Sequence, residues 1–233
     1  MKKFLACLFI LALFSGIVFY FGWTQFRVKP DTIGIVISKT SGIDDKPVQN
    51  GEFAWHWQFL LPTNAQLKLF HIKPFEALKT VSGSLPSGQA YASIYGAEGL
   101  FDYSFTFDIA LTLSPQSIVE LMKLNKISYD SDLETYMEGA AGTLAQHAAN
   151  FILSKAESNP DFRPESLRRE EILRGIQIYK DFPELDVSVF SIQNSKLPDY
   201  KMYKKIQNMQ PEDLNQGLSV QGQQALPSVQ EEI

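Results

Sequence analysis

The sequence predicts an α+β protein: an N-terminal single transmembrane helix, then a body of mostly antiparallel strands packed with two to three helices. Three observations carry this expectation. Phe4 to Trp23 contain no charged residue over twenty positions. Thr32–Ser38, Gln66–Ile72 and Phe101–Leu113 are β-branched or alternate apolar with polar residues, the period of a strand. Ser114-Pro115 and Ser131-Asp132-Leu133-Glu134 are helix-start signals standing before stretches of helical period.

The apolar leader comes first. A helix over Phe4–Trp23 is about 30 Å long, the thickness of a bilayer core. Hydrocarbon offers no partner to a loop's backbone, so such a run inserts as a helix or not at all. Tyr20, Phe21 and Trp23 at its far end suit the headgroup zone. The competing reading is a cleaved signal peptide, with Lys2-Lys3 and Phe4–Phe14 as its charged and apolar regions. No A-x-A-like site follows, and the apolar run continues past Ser15-Gly16. The expected state is therefore an uncleaved single-pass anchor in the cytoplasmic (inner) membrane. Lys2 and Lys3 balance Arg27 and Lys29, so charge sets little of the orientation. A three-residue leader kept inside places the body outside the cytoplasm.

The remaining elements follow in order. Thr32–Ser38 (TIGIVIS) is a strand bounded by Pro30-Asp31 and a turn over Ser41–Asp45. Asn50-Gly51 marks a second turn before Phe53-Ala54-Trp55-His56-Trp57-Gln58-Phe59, whose alternating aromatics read as a strand closed by Pro62. Gln66–Ile72 alternates again. Ser82–Gly99 is rich in glycine and reads as a long loop or loose hairpin. In Phe101–Leu113 the residues Phe101, Tyr103, Phe105, Phe107, Ile109, Leu111 and Leu113 share one face, so this strand packs on one side. Ser114-Pro115 caps a short helix, and the capping box at Ser131–Glu134 opens a longer one to about Ser154. Its stripe is Leu133, Tyr136, Met137, Ala140, Ala141, Leu144, Ala148, Phe151 and Ile152. A third helix carries Leu167, Ile172, Leu173, Ile176 and Tyr179 and stops before Pro183. Leu185–Ile192 is the last strand, and Pro198 precedes a helical start over Asp199–Met209. The organisation expected is anchor 1–25, body 26–205 and a disordered tail 206–233. From residue 207 on there is no Lys or Arg, and apolar residues are too few to offset ordering.

Composition removes several classes. With 21 basic and 26 acidic residues the net charge is −5, against the basic patch a nucleic-acid binder needs. One cysteine, Cys7, cannot make a disulfide framework or a Cys-cluster zinc site. His56, His71 and His147 have no metal-binding spacing. There is no P-loop, no dinucleotide fingerprint and no nucleophile elbow. Asp44-Asp45 and Glu170-Glu171 are adjacent and diverge on any regular backbone. No catalytic, cofactor or metal residue is expected, and no cofactor. The residues expected to meet the membrane interface are Tyr20, Trp23, Trp55 and Trp57; a body starting near Pro30 cannot lie far from the bilayer, which permits this, while the alternative for Phe53, Trp55, Trp57 and Phe59 is a hairpin core.

The order of these words resembles the stomatin/prohibitin/flotillin superfamily, the band-7 (SPFH) domain, over roughly residues 27 to 205. Val28-x-Pro30-x-Thr32-x-Gly34-Ile35-Val36 is similar to its opening strand after the membrane. Asn50-Gly51-Glu52-Phe53 through Leu61-Pro62 resembles its glycine-led hairpin. Glu98-Gly99-Leu100 with the strand to Leu113 and Ser114-Pro115 resembles its acidic-Gly turn, long strand and helix. Val187–Ile192 with Pro198 resembles its closing strand. Two departures are plain: Phe182-Pro183-Glu184-Leu185 replaces the usual Gly-Ile/Val entry to the last strand, and only Tyr200–Met209 stands where most members continue into a long coiled coil. The resemblance implies a non-enzymatic scaffold or accessory protein that organises membrane proteins. Its implied partners are the lipid bilayer, other membrane proteins and, left open by the missing heptad seam, further copies of the chain; nucleic acid is not among them. The alternative is a membrane-tethered extracytoplasmic module, unrelated to band 7, that binds a ligand or lipid in a pocket under Ser82–Gly99. A hydrolase with a triad assembled only in the fold is a third class.

Overall fold

A computed structural model describes residues 2–23, 28–96, 98–159 and 161–208. The protein is mixed α+β. The chain divides into two compact units: Met1–Ala77 with Ile109–Ala141 and Tyr179–Val189, and Leu78–Asp108 with Gly142–Ile178 and Phe190–Ile233. The expected boundary at 25/26 and the tail from 209 lie outside the described residues.

The first unit begins with α1 (Lys2–Gly22), of which only Gly22 is buried. It is long and apolar enough to cross a membrane. Strand β1 (Thr32–Ser38) has the bounds its sequence predicts. It is central: β4 (Ala65–His71) pairs antiparallel along its whole length, from Thr32↔His71 to Ser38↔Ala65. On its other edge lie two short strands, β2 (Gly42–Ile43) and β3 (Val48–Gln49). Side chains on both faces of this strand are buried, Ile33 and Ile35 on one and Val36 on the other, which is why it reads as an apolar run. Val28, Val36 and Val48 form a small core with Ala54, Phe59 and Leu67 against it.

The aromatic stretch is a correction. Instead of a strand, Trp55 makes one isolated bridge, to Trp23. A 3-10 turn follows at Trp57–Leu60. Period-2 aromatics imitate a strand, but here the backbone spends its hydrogen bonds elsewhere. His56 N–H donates to Gly22 O, Phe59 N–H to His56 O, and the buried Asn64 amide to Gln58 O and Thr40 Oγ1.

Helix α3 (Pro115–Lys123) is capped as expected, the Ser114 hydroxyl accepting from Ser117 N–H at 3.0 Å. Helix α4 (Asp130–Ser158) starts earlier than the capping box predicts. The Asp132 carboxylate reaches back to the N–H groups of Ser128 and Tyr129 at 2.8 and 2.9 Å. An acid one turn inside supplies the cap, in place of Ser131 with Glu134.

In the second unit the segment 82–99 is the next correction. Strand β5 (Phe75–Ser84) fills part of it, and helix α2 (Gly88–Tyr95) the rest. Packing overrides local glycine content: Tyr91 meets the Tyr203 ring at 5.9 Å, and Tyr203 meets Phe101 at the same separation. Leu85, Ala92, Phe101, Ala156 and Ile206 complete that core. The expected third helix is two, α5 (Arg169–Gly175) and α6 (Ile178–Asp181), broken where Gln177 takes φ 50°. Strand β6 (Asp102–Leu113) buries Phe105, Phe107, Ile109 and Leu111 as its alternation predicts. Strand β7 (Leu185–Lys196) outruns the expected end at Ile192. A sheet runs β5-β6-β7. Thr112 and Ser188 hydroxyls donate to Asp186 O and Ala110 O, an exchange in which one strand's numbers fall as the other's rise, so β6 and β7 are antiparallel. Helix α7 (Tyr200–Gln207) is capped by Asp199, whose carboxylate accepts from Met202 N–H.

Candidate functional site

The apolar helix and the aromatic turn meet. Gly22 O accepts from His56 N–H at 2.8 Å, and Trp23 bridges Trp55. Gly22 permits this because a Cβ there would stand 2.2 Å from Trp55 Nε1, so the indole lies directly on the glycine backbone. Phe19 lies one helical turn before Trp23, on the same face. It stacks on Phe53 at 5.8 Å and 17°, and contacts Trp23 at 5.6 Å. Trp23 and Phe53 are 6.3 Å apart.

Most of these rings stay open to solvent: Phe53 is 64% exposed, Trp57 48% and Trp55 38%. Leu60 and Leu61 are exposed beside them. Contiguous apolar surface of this kind marks a contact with another molecule or with lipid. Of the four residues expected at the interface, Trp23 and Trp55 are in direct contact. Tyr20 packs its ring edge-on to Phe21 at 5.9 Å, and Trp57 opens the 3-10 turn. Sequence reasoning missed Phe19 and Gly22 as parts of the cluster; the Phe19-x-x-x-Trp23 spacing was the available signal.

His56 sits behind the rings, its side chain nearly buried and its Nδ1 3.3 Å from Asp44 Oδ2. Burial lowers its pKa from the ordinary imidazole value, and the Asp44 charge opposes that shift without cancelling it. The pair fastens the turn to the segment after β2, while Gln58 Nε2 to Ser41 Oγ and Asn64 Nδ2 to Thr40 Oγ1 tie the same region to the residues before β2.

A second feature of the first unit is a groove of about 560 Å³. The connection from β4 to β5 forms one wall, including Lys73 and Phe75; the first turns of α4 form the other, and Leu113 and Ile118 close the floor. His71 stands at its end, its Nδ1 2.7 Å from Asp130 Oδ2, while Asp130 Oδ1 accepts His71 N–H at 2.8 Å. Both oxygens of that carboxylate are engaged by His71, and the same pair joins the sheet to the start of α4. Glu76 and Glu134 on the rim have no hydrogen bond or ion pair to the described residues.

A third cluster is a polar knot. Glu184, its side chain 6% exposed, accepts from the Tyr136 hydroxyl and pairs with Lys126 at 2.9 Å. Burial opposes its charge, but the bonds from Tyr136 and Lys126 outweigh it and hold the carboxyl below its ordinary range. Burial, then the bond to Glu184, pushes the Tyr136 phenol up. The knot ties Phe182–Leu185 to α4.

Among the described residues no three His, Cys, Asp or Glu side chains are grouped to hold a metal ion. His56 and His71 each face a carboxylate, and His147 lies half-buried on α4. Asp44 and Asp45 diverge as expected, the first to His56 and the second to Lys123.

No family model matches the chain. The chain is similar to an uncharacterized protein of Treponema pallidum (strain Nichols), with 23% identity over 187 residues. The similarity covers 78% of this chain and 62% of that relative, so the chain spans less than two thirds of the relative's length.

Proposed function

We propose that the protein is a membrane-anchored accessory or scaffold of the stomatin/prohibitin/flotillin (band-7) type, without chemistry of its own, that organises other membrane proteins. In this reading α1 stays attached and crosses the cytoplasmic membrane once, the body lies on the extracytoplasmic side, and Tyr20, Trp23, Trp55 and Trp57 sit at the lipid headgroups. One observation supports it above the others. The C-terminal end of the apolar helix is bonded to an aromatic turn whose rings remain exposed, so the greasy face of the body stands where the helix would leave the bilayer. The sequential likeness of strands and caps to the band-7 domain supports the family reading.

The test uses the full chain in lipid nanodiscs, with Trp23→Phe so that only Trp55 and Trp57 report. Lipids brominated near the glycerol end of the acyl chain should quench their emission strongly, and Trp55→Ser with Trp57→Ser should abolish the quenched signal. Emission identical to that in unbrominated lipid overturns the seated arrangement. A strictly monomeric particle that cross-links to no membrane protein in native membranes overturns the scaffold role.

The groove favours a second reading, a membrane-tethered binding module. The groove is lined from the β4–β5 connection, α3 and α4, not from Ser82–Gly99, the segment under which that alternative expects its pocket. Its size is that of ordinary ligand sites.

A further inference from the structure

We propose that the groove between the β4–β5 connection and α4 docks a basic peptide segment of a partner protein, one in which Lys or Arg flanks a bulky apolar side chain. The inference rests on the accessory reading above and names the partner chemistry that reading leaves open. The floor is apolar: Leu113, Ile118, Leu133 and Met137 are buried side chains whose outer atoms line the cavity. Its volume of about 560 Å³ takes one or two large side chains. The rim is acidic, with Glu76, Asp130 and Glu134 against the single ammonium of Lys73.

Asp130 is already committed to His71, but Glu76 and Glu134 hold no partner among the described residues, so they supply two unspent acceptors beside an apolar hole. Apolar contact fills the floor, and the two carboxylates select the sign of the flanking charge. The chain's own C-terminal segment is the wrong occupant. From residue 207 on it carries Glu212, Asp213, Glu231 and Glu232 and no Lys or Arg, the same sign as the rim. An anionic lipid headgroup fails for the same reason.

The test measures fluorescence anisotropy with the full chain in neutral-lipid nanodiscs. The probe is a fluorescein-labelled decapeptide with a central Phe-Leu pair flanked by two Arg on each side; the control has Glu in place of each Arg. The Arg peptide should bind and the Glu peptide should not. Glu76→Lys with Glu134→Lys should weaken binding about tenfold, and raising salt should weaken it in the wild type only. Both side chains are exposed, and an unchanged circular dichroism melt confirms the fold; Glu134→Gln alone, expected to lose a few-fold, is the milder check. Equal affinity of wild type and charge-reversed protein, binding of the Glu peptide, or no binding by either peptide overturns the proposal. So does tighter binding after removal of residues 209–233, which would make the tail the occupant. Bromolipid quenching of Trp55 and Trp57 is read on the same nanodiscs, so a failed groove with intact quenching leaves the membrane seat standing, and the reverse result separates them the other way.

Discussion

Gly22 carries the most consequence of any residue here. Any side chain must displace the Trp55 indole, since even a Cβ falls 2.2 Å from Nε1. Gly22→Val should cost about 1–3 kcal/mol in the packing of the turn. It should also red-shift Trp55 emission in a Trp23→Phe, Trp57→Phe background; emission unchanged from the glycine parent would refute the close contact. His56 adds a pH dependence. Its folded pKa lies below the ordinary 6.5, so the unfolded chain takes up the proton first as pH falls. Stability from this group is complete above about 6.5 and is lost between that value and the lower folded one. The thermal midpoint should therefore drop on acidification from pH 7.5 toward 5.5, and His56→Gln should flatten that slope. Glu184 works lower: its folded pKa is depressed from 4.5, so its contribution is present above that value and disappears as pH falls further. Neither the glycine contact nor the histidine environment could be read from sequence, because each depends on a neighbour more than thirty residues away or on burial by a turn whose backbone is irregular.

At the level of elements, what was legible tracked local rules. The β1 bounds, the alternation in β6, the Ser114 cap and the α4 stripe all follow from residues within a few positions of one another, and all appear in the structure. Ser114→Ala should accordingly remove about 1 kcal/mol, seen in urea unfolding. Tyr136→Phe should remove about 1–2 kcal/mol, by stripping one of the two side-chain bonds that Glu184 receives while the ring stays. If that variant unfolds at the wild-type urea midpoint, the knot contributes nothing. The elements that escaped were decided at long range. Strand β5 alternates half-buried and exposed positions, but Lys79 stands on its half-buried face and Leu78 on its exposed one, so hydropathy does not follow the period of burial. Helix α2 is held by Tyr203 from the far end of the chain. The aromatic run 53–59 failed in the opposite direction: its period was right for a strand, but Phe53, Trp55 and Trp57 are exposed, Phe59 packs on the core, and the backbone bonds to α1.

For the molecule as a whole, the aromatic residues assigned to the interface were named individually, yet their assembly with α1 was not visible, because nothing in a linear pattern says that residue 55 returns to residue 23. The groove was equally hidden, since its walls come from segments sixty residues apart that alternation and capping treat separately. The proposed topology has a direct check: a reporter active only outside the cytoplasm, fused after Ile233, should be active, and one that fluoresces only in the cytoplasm should be dark. The reverse pattern refutes the orientation. Finally, the Trp23–Trp55 bridge and the His56–Gly22 bond have a mechanical corollary. A helix joined to its cargo by a slack tether can lean without the cargo noticing. Here the helix end is bonded to the aromatic turn, so under the proposed single-pass arrangement a thinner or thicker bilayer that changes the helix's lean would turn the aromatic turn with it.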